Sequence, residues 1–281
     1  MKISFSRKNL ASDLGAAVTM AIVAIPDAIA SALLAGVNPT HGFYALMVGT
    51  PVGSLFTSSA FMNIGLTAAM MMAVADGLAG VESGSIVTAL VTLSVMIGLF
   101  QILLGWFKLG VFARFISNAV MVGFLTGVAT VLILGQLGDL TGYQSQYSNK
   151  MVQAVDLVTH PAEIDLSATL IGLGTIALIL IMARTRLKNY SLAIAVLLSS
   201  LAVALLDLDS VALVGDTNQI LGSIPLPALP DLSMVRSLLL PAVAIGLLGL
   251  IQGAGISQTY PNPDGEYPDP SGDFRGQGIA N

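Results

Sequence analysis

The sequence predicts an all-α polytopic membrane protein, and three observations support this fold class. Between Asp27 and Asp76 the chain contains no Asp, Glu, Lys or Arg. Further uncharged stretches cover 83–107, 115–138, 166–183, 189–206 and 237–263. A hydrocarbon core about 30 Å thick is crossed by roughly 20 helical residues, so each of these stretches is close to long enough. Charged residues make up only 10% of the chain, against about 25% in a typical soluble domain.

The uncharged stretches predict eight helical membrane segments. They cover 14–36, 42–57, 66–77, 84–105, 115–138, 166–183, 189–206 and 237–257. If the N-terminus is cytoplasmic and the segments alternate in direction, only Lys150 and Arg236 of the 11 basic residues lie outside. The positive-inside rule requires such a distribution. It therefore predicts an integral protein of the cell (inner) membrane with a cytoplasmic N-terminus, and it supports the short third segment as a separate helix.

The first interruption of an apolar stretch is Ile25-Pro26-Asp27. Proline within a helix removes the backbone hydrogen bond to the carbonyl four residues earlier. Asp27 follows at a depth where an ionisable side chain costs a few kcal/mol or more and marks a candidate functional site. The alternative is a carboxyl group that is protonated or hydrogen-bonded to nearby serines or backbone.

The second interruption is the polar stretch 56–65, which precedes a third segment too short to cross a bilayer. Irregular backbone at membrane depth occurs only where protein buries it or where it lines a polar cavity. A half-helix that begins near Leu66 would direct its free N–H groups into such a cavity, as in anion sites. Thr67 would lie in its first turn as a hydroxyl donor. The alternative is an ordinary helix that follows a polar loop.

The third interruption is Gln252 in the eighth segment, within a stretch that contains Gly249, Gly253 and Gly255. Small residues let helices approach closely, and a buried amide requires hydrogen-bond partners. Taken alone, this pattern indicates helix packing.

Other functional classes have no support in the sequence. The chain has no cysteine, so it has neither a disulfide framework nor a thiol metal site. It contains no P-loop, nucleophile elbow, H-E-x-x-H or dinucleotide-binding turn, so we expect no enzyme, no cofactor, no metal and no catalytic residues. The few basic residues make a nucleic-acid partner implausible.

Four stretches in order resemble the SulP family of anion transporters. They are 13–36 with 42–45, 114–127, 222–230, and 273–281. The resemblance implies two inverted seven-helix repeats in a core-plus-gate arrangement shared with uracil permeases, with a discontinuous third helix. Residues 1–281 would form a partial transporter domain, comprising the first repeat, helix 8 and the start of helix 9. The remaining helices and the C-terminal STAS domain of the family would be absent.

The resemblance also implies where the substrate binds. In the family, an anion lies between the N-termini of the third and tenth half-helices. The N-terminus of the third half-helix corresponds here to Gly65, Leu66, Thr67 and Ala68. Leu66 stands where the family usually has proline. Gln252 occupies a position that is usually glutamate, and Asp27 one that is usually a neutral polar residue.

This exchange leads to a hypothesis about coupling. The acid needed for coupling to H⁺ or Na⁺ would have moved from the eighth helix to Asp27 in the first. A carboxylate there would repel an anion unless it is protonated or paired with a cation. The alternative is that Asp27 only affects selectivity.

The sequence thus predicts secondary active transport of a small inorganic or carboxylate anion, such as sulfate or bicarbonate, by symport with H⁺ or Na⁺ in the lipid bilayer. A homodimer is possible in the full-length protein. The alternatives are a nucleobase permease on the same fold, or a truncated chain without transport activity of its own.

Overall fold

The computed structural model describes residues 10–110, 118–147, 149–211, 213, 228–259 and 261–281. The regular secondary structure of these residues is entirely helical. The α-helices are α1 (Leu10–Leu34), α2 (Pro39–Phe56), α3 (Ala68–Gly77), α4 (Ile86–Trp106), α5 (Asn118–Thr141), α6 (Lys150–Thr159), α7 (Leu166–Ala183), α8 (Ser191–Leu205), α9 (Val235–Thr259) and α10 (Pro270–Ala280). Short 3-10 helices cover Ser83–Ser85, Pro161–Glu163, Lys188–Tyr190 and Leu232–Met234.

Several helices have the length and composition of membrane spans. In the described part of the chain, four qualify: Asp13–Leu34, Ile86–Trp106, Leu166–Ala183 and Leu232–Gly255. Shorter apolar helices cover Ala68–Gly77, Thr126–Thr141 and Ser191–Leu205. Large apolar side chains remain exposed on these helices, as contact with lipid requires. Each of the eight predicted segments overlaps an α-helix, so the predicted all-α class is confirmed.

The structure differs from the sequence prediction at three places. Helix α6 was not predicted, because it carries Lys150 and Asp156 and therefore interrupts the uncharged pattern. Helix α3 begins at Ala68, two residues after the predicted start, because Thr67 caps it. Helix α10 begins at Pro270, three residues before the stretch 273–281 that resembles the entry to helix 9, because the Asp269 side chain accepts hydrogen bonds from the backbone N–H groups of Ser271 and Gly272. Parts of the resembling stretches, 114–117 and 222–227, lie outside the described residues.

The chain divides into two compact units. The first comprises Asp27–Phe124 and Ile220–Asn281, and the second comprises Ile3–Pro26 and Leu125–Gln219, with the described residues within these ranges. The boundary within α1 falls between Pro26 and Asp27.

The apolar core of the first unit lies where α3, α4 and α9 meet. Leu93 and Ile97 of α4 are buried there against Leu238 and Ile245 of α9 and Val74 of α3. Because lipid tails are as apolar as these side chains, van der Waals packing, and not removal from water, holds the three helices together here. This cluster holds the short helix α3 beside α9.

Helix α10 approaches α4 through paired glycines. A Cβ atom on Gly98 would lie 2.6 Å from the carbonyl oxygen of Gly278, and a Cβ on Gly278 would lie 2.6 Å from the carbonyl oxygen of Gly98. Because both positions lack a side chain, the two backbones touch directly. This contact brings the C-terminal residues of α10 to the side of α4.

In the second unit, a polar cluster joins the end of α5 to α6. The Asp156 carboxylate accepts hydrogen bonds from Ser145 Oγ at 2.6 Å and from Tyr143 Oη at 2.8 Å. These bonds, Ser145 first, lower the pKa of Asp156. Burial, together with the bond to Asp156, raises the pKa of Tyr143 to about 12. The cluster fixes the surface segment that precedes α7.

Candidate functional site

The site is built around a helix that begins in the interior of the first unit. Residues 57–66, termed the linker segment, have no helical turns and lead from α2 to α3. Thr67 is the N-cap of α3, and its Oγ1 accepts a hydrogen bond from the backbone N–H of Met70 at 3.4 Å. The 10 residues of α3 rise only about 15 Å, half of a hydrocarbon core. The predicted discontinuous third helix is therefore present.

Thr67 and Gln252 meet although they are far apart in the sequence. Thr67 Oγ1 donates a hydrogen bond to Gln252 Oε1 of α9 at 3.0 Å. The sequence placed the Thr67 hydroxyl in the first turn of the half-helix, whereas the structure has it one position earlier, at the cap. From this position the hydroxyl contacts both the helix N-terminus and the amide of α9.

Thr67 and Gln252 line a cavity of about 470 Å³ in the first unit. Of the residues predicted to bind substrate, Gly65, Leu66, Thr67 and Gln252 line this cavity. Ala68 does not line it; it is the first helical residue behind the cap. The structure thus brings together residues from the second and third interruptions of the apolar pattern.

Asp27 lies elsewhere. Its side chain is exposed on α1 and does not line the cavity. The buried face of α1 is formed by Ala28, Ser31 and Ala32, and Ala35 continues this stripe just beyond the end of the helix, with the spacing of one helical face. A Cβ on Gly42 of α2 would contact the carbonyl of Ala28, so α2 packs directly on this stripe. Asp27 precedes the stripe by one residue, about 100° around the helix.

Three further amides enter the cavity wall that the sequence analysis did not select. Gln101 of α4 is fully buried, and its Oε1 accepts a hydrogen bond from Asn281 Nδ2 at 2.9 Å. Gln277 of α10 lies one turn before Asn281, and both line the cavity. Charged residues and interruptions of the apolar stretches carried the sequence predictions, and these amides are neither. The available signals were an amide inside the apolar stretch 83–107 and the four-residue spacing of Gln277 and Asn281.

The cavity contains hydrogen-bonding groups without a formal charge. Its polar lining side chains are His41, Asn63, Thr67, Ser94, Gln101, Gln252, Gln277 and Asn281, and the described residues contribute no Asp, Glu, Lys or Arg. The first turn of α3 adds backbone N–H groups that have no acceptor within the helix. The positive end of the helix dipole favours anions at this position. In the described part of the chain, no group of three or more His, Cys, Asp or Glu is placed to hold a metal ion.

Comparison with known proteins identifies the family. The model of the sulfate permease family matches residues 10–281. The chain belongs to the sulfate permease family. The resemblance seen in the four sequence stretches is thereby confirmed, and the relatives described below are named as transporters, not as enzymes.

Relatives in the sulfate permease family come from bacteria and plants. A probable sulfate transporter of Mycobacterium tuberculosis is 28% identical over 284 residues, which cover 99% of this chain and 50% of that protein. The probable sulfate transporter 4.2 of Arabidopsis thaliana is 29% identical over 287 residues, which cover 96% of this chain and 41% of that protein. The chain therefore spans about half the length of the relatives it matches.

Two solved structures share the fold. The transmembrane domain of the cyanobacterial bicarbonate transporter BicA superimposes with a TM-score of 0.77 at 24% identity, over 98% of this chain and 72% of that chain. The murine Solute Carrier 26 family member A9 anion transporter, in its inward-facing state, gives a TM-score of 0.81 at 15% identity, over 99% of this chain and 50% of that chain. The predicted seven-plus-seven transporter fold is confirmed.

Proposed function

We propose that the protein is a secondary active transporter of a small inorganic or carboxylate anion, such as sulfate or bicarbonate. The observation that carries this proposal is the N-terminus of α3, which is capped by Thr67 and opens into the uncharged cavity beside Gln252. Such an N-terminus attracts an anion without a fixed positive charge. The names of the relatives, which are probable sulfate transporters, and of BicA, a bicarbonate transporter, support the same substrate class.

Transport proceeds by alternating access, in which core helices move as a rigid body against gate helices. The proposed core helices are α1, α3 and α9, and the gate helices are α5, α7 and α8. The division of the chain supports this assignment, because α3 and α9 fall in the first unit while α7 and α8 fall in the second. The proposed homodimer of the full-length protein rests on the family resemblance, whereas the proposed cytoplasmic N-terminus in the cell (inner) membrane rests on the distribution of basic residues.

The proposed coupling ion is H⁺ or Na⁺, and Asp27 is the proposed coupling residue. Its support is its position: it is the one acid in the middle of a predicted membrane segment. A carboxylate at that depth requires a proton or a cation partner. Replacement by Asn keeps the shape and removes the titratable group, so Asp27→Asn should abolish stimulation by the cation gradient. Cation dependence that is unchanged in this variant would refute the role of Asp27 while leaving the anion site standing.

The test of the proposed function is uptake by the full-length protein in proteoliposomes. Radiolabelled sulfate, bicarbonate and fumarate are each supplied with and without an H⁺ or Na⁺ gradient. We expect one of these anions to be accumulated when one gradient is present. Empty liposomes and the Gln252→Leu variant serve as controls, the latter with reduced uptake because it loses the amide partner of Thr67.

A nucleobase permease on the same fold is the second candidate. It requires more hydrogen-bonding side chains than Thr67 and Gln252, and the cavity lining adds Gln101, Gln277 and Asn281. Labelled uracil is therefore included in the same assay. Uptake of uracil with none of the three anions would overturn the anion proposal in favour of this candidate.

A further inference from the structure

The linker segment is held in place by polar groups that come from the other end of the chain. The Asn262 side chain accepts a hydrogen bond from the backbone N–H of Ala60 at 2.8 Å and donates one to the carbonyl of Ser58 at 3.0 Å. Ser58 Oγ also lies 2.9 Å from the backbone carbonyl oxygen of Asp269, a second acceptor for the single hydroxyl proton that can instead be donated to Asp273. Because the segment forms no helix or strand, these contacts replace the hydrogen bonds that regular structure would supply.

Asp273 of α10 makes the most extensive of these contacts. Its Oδ1 accepts hydrogen bonds from Thr57 Oγ1 at 2.7 Å, the Ser58 backbone N–H at 2.7 Å and Ser58 Oγ at 2.8 Å. Its Oδ2 accepts one from Ser257 Oγ of α9 at 2.5 Å. One carboxylate thus joins the end of α2, the start of the linker segment, α9 and α10.

This carboxylate is fully buried, and the described residues include no Lys or Arg in an ion pair with it. The two carboxyl oxygens of Asp273 have four donor groups within hydrogen-bond distance, namely Thr57 Oγ1, the Ser58 backbone N–H, Ser58 Oγ and Ser257 Oγ. Loss of the carboxylate would leave several buried donors without their acceptor, which is costly. The arrangement is therefore a clasp formed by Asp273, Thr57, Ser58 and Ser257.

The clasp is connected to two walls of the cavity. Along the chain, Thr57 begins the ten-residue linker segment that ends at the cavity-lining residues Gly65 and Leu66. Along α10, Gln277 follows Asp273 by one helical turn and lines the cavity. Met62 joins the two paths, since its sulfur lies 3.9 Å from Thr57 Oγ1 and 3.6 Å from Gln277 Nε2.

The backbones are also in direct contact here. A Cβ on Gly276 of α10 would lie 2.9 Å from the backbone nitrogen of Thr57. The clasp therefore sits at a close junction, where a small displacement of the linker segment cannot be absorbed by flexible side chains.

We propose that Asp273 is a positioning residue for the anion site. Its carboxylate fixes the linker segment against α9 and α10, and so determines where the Thr67 cap and the Gln277 amide face the cavity. Asp273 does not touch the anion itself. This role rests on the proposed transport function, whereas the clasp can be tested without any transported substrate.

The first test measures exposure of the linker segment. Residues 1–281 contain no cysteine, so Ser59→Cys, at a buried position with 2% exposure, introduces a single thiol into a full-length protein in which any cysteine outside these residues is replaced by serine. We expect slow labelling by a small maleimide in membranes. Asp273→Ala should accelerate labelling by about tenfold or more, and the milder Thr57→Val, which removes one hydroxyl donor, by about threefold.

Two controls separate release of the clasp from unfolding. Asp269→Ala removes the side-chain cap of α10 but leaves the side chain of Asp273 in place, so labelling of Ser59→Cys should stay within about twofold of the parent. Leu93→Cys, a core position with 1% exposure, should remain unlabelled in every variant that is folded. If Leu93→Cys is labelled in the Asp273→Ala background, that variant is unfolded, and the comparison is then made with Thr57→Val.

The second test is uptake of the transported anion. For Thr57→Val we expect KM to rise about fivefold with kcat changed less than twofold, because the site is displaced while the moving helices are intact. Asp269→Ala should retain the parental KM. Unchanged labelling in both clasp variants overturns the clasp, and faster labelling with an unchanged KM overturns the positioning role. Failure of the unsubstituted protein to transport any of the anions instead overturns the proposed function.

Discussion

Replacing Thr67 by valine tests the contact at the centre of the site. Valine keeps the branched shape and removes the hydroxyl, so the variant loses two hydrogen bonds at once. One is the cap accepted from Met70 N–H at 3.4 Å, and the other is donated to Gln252 at 3.0 Å. Thr67→Ser retains the hydroxyl and is the matched control.

The magnitude follows from the two distances. Loss of an N-cap costs about 0.5–2 kcal/mol, and the long cap distance here places it near the lower end. Loss of a hydrogen bond between two neutral groups costs about 0.5–1.5 kcal/mol. The sum of about 1–2 kcal/mol is a loss of folding stability and should lower the Tm by about 2–6 °C. For KM, the hydrogen bond that counts is the one from the Thr67 hydroxyl to the bound anion; its loss, about 0.5–1.5 kcal/mol, raises KM about 2- to 13-fold, since each 1.4 kcal/mol is tenfold.

The assay combines anion uptake with thermal unfolding of the detergent-solubilised protein. Comparing Thr67→Val, Gln252→Leu and the double variant isolates the energy of the contact itself. We expect a coupling of about 0.5–1.5 kcal/mol, because the second substitution removes a partner that is already lost. Strictly additive effects, or a KM for Thr67→Val equal to that of Thr67→Ser, would refute the assignment of this hydroxyl to the site.

Two further predictions concern stability. Gly98→Ala places a Cβ 2.6 Å from the carbonyl oxygen of Gly278 and should cost about 1–3 kcal/mol of stability by overpacking, which is measured as a lower Tm. The control is Gly15→Ala, because no atom lies within 4 Å of its new Cβ; its Tm should be unchanged or slightly higher. The pKa of Asp156 is lowered in the folded state, so its stabilising contribution is complete above the ordinary carboxyl pKa and is lost as pH falls below about 4. Hydrogen exchange in 143–160 should therefore accelerate below that pH in the parent but not in Asp156→Asn. An identical acid response in the two proteins would contradict this reasoning.

The helices and their order could be predicted because a segment that crosses the bilayer must be apolar along its own length, which is a property of local composition. A charged side chain in hydrocarbon is costly wherever it falls, so uncharged stretches mark the membrane segments directly. The break before α3 was visible for a related reason, since polar residues such as Ser58 and Asn63 interrupt an apolar stretch. Helix α6 was not predicted because it carries charged residues, so the absence of charge does not mark it.

The site could be predicted only in part. Thr67 and Gln252 were found because each stands at an interruption of the apolar pattern, but their hydrogen bond depends on how α3 and α9 pack. Gln101 was missed because a single uncharged amide barely changes the hydropathy of its helix. The cavity lining does not include Asp27, because the face of α1 that is buried is the one formed by Ala28, Ser31 and Ala32.

The sequence by itself determined that this is an all-α membrane protein of the sulfate permease family with a discontinuous third helix. These properties follow from composition, charge and local motifs, which act over a few residues. Only the tertiary structure decided that Asp273 binds Thr57 and Ser58, and that Gln277 and Asn281 enter the same cavity as Thr67. The reason is that side-chain direction depends on the rotation and close approach of helices. Those are set by contacts between glycine-rich faces, such as Gly98 with Gly278, that lie far apart in the chain.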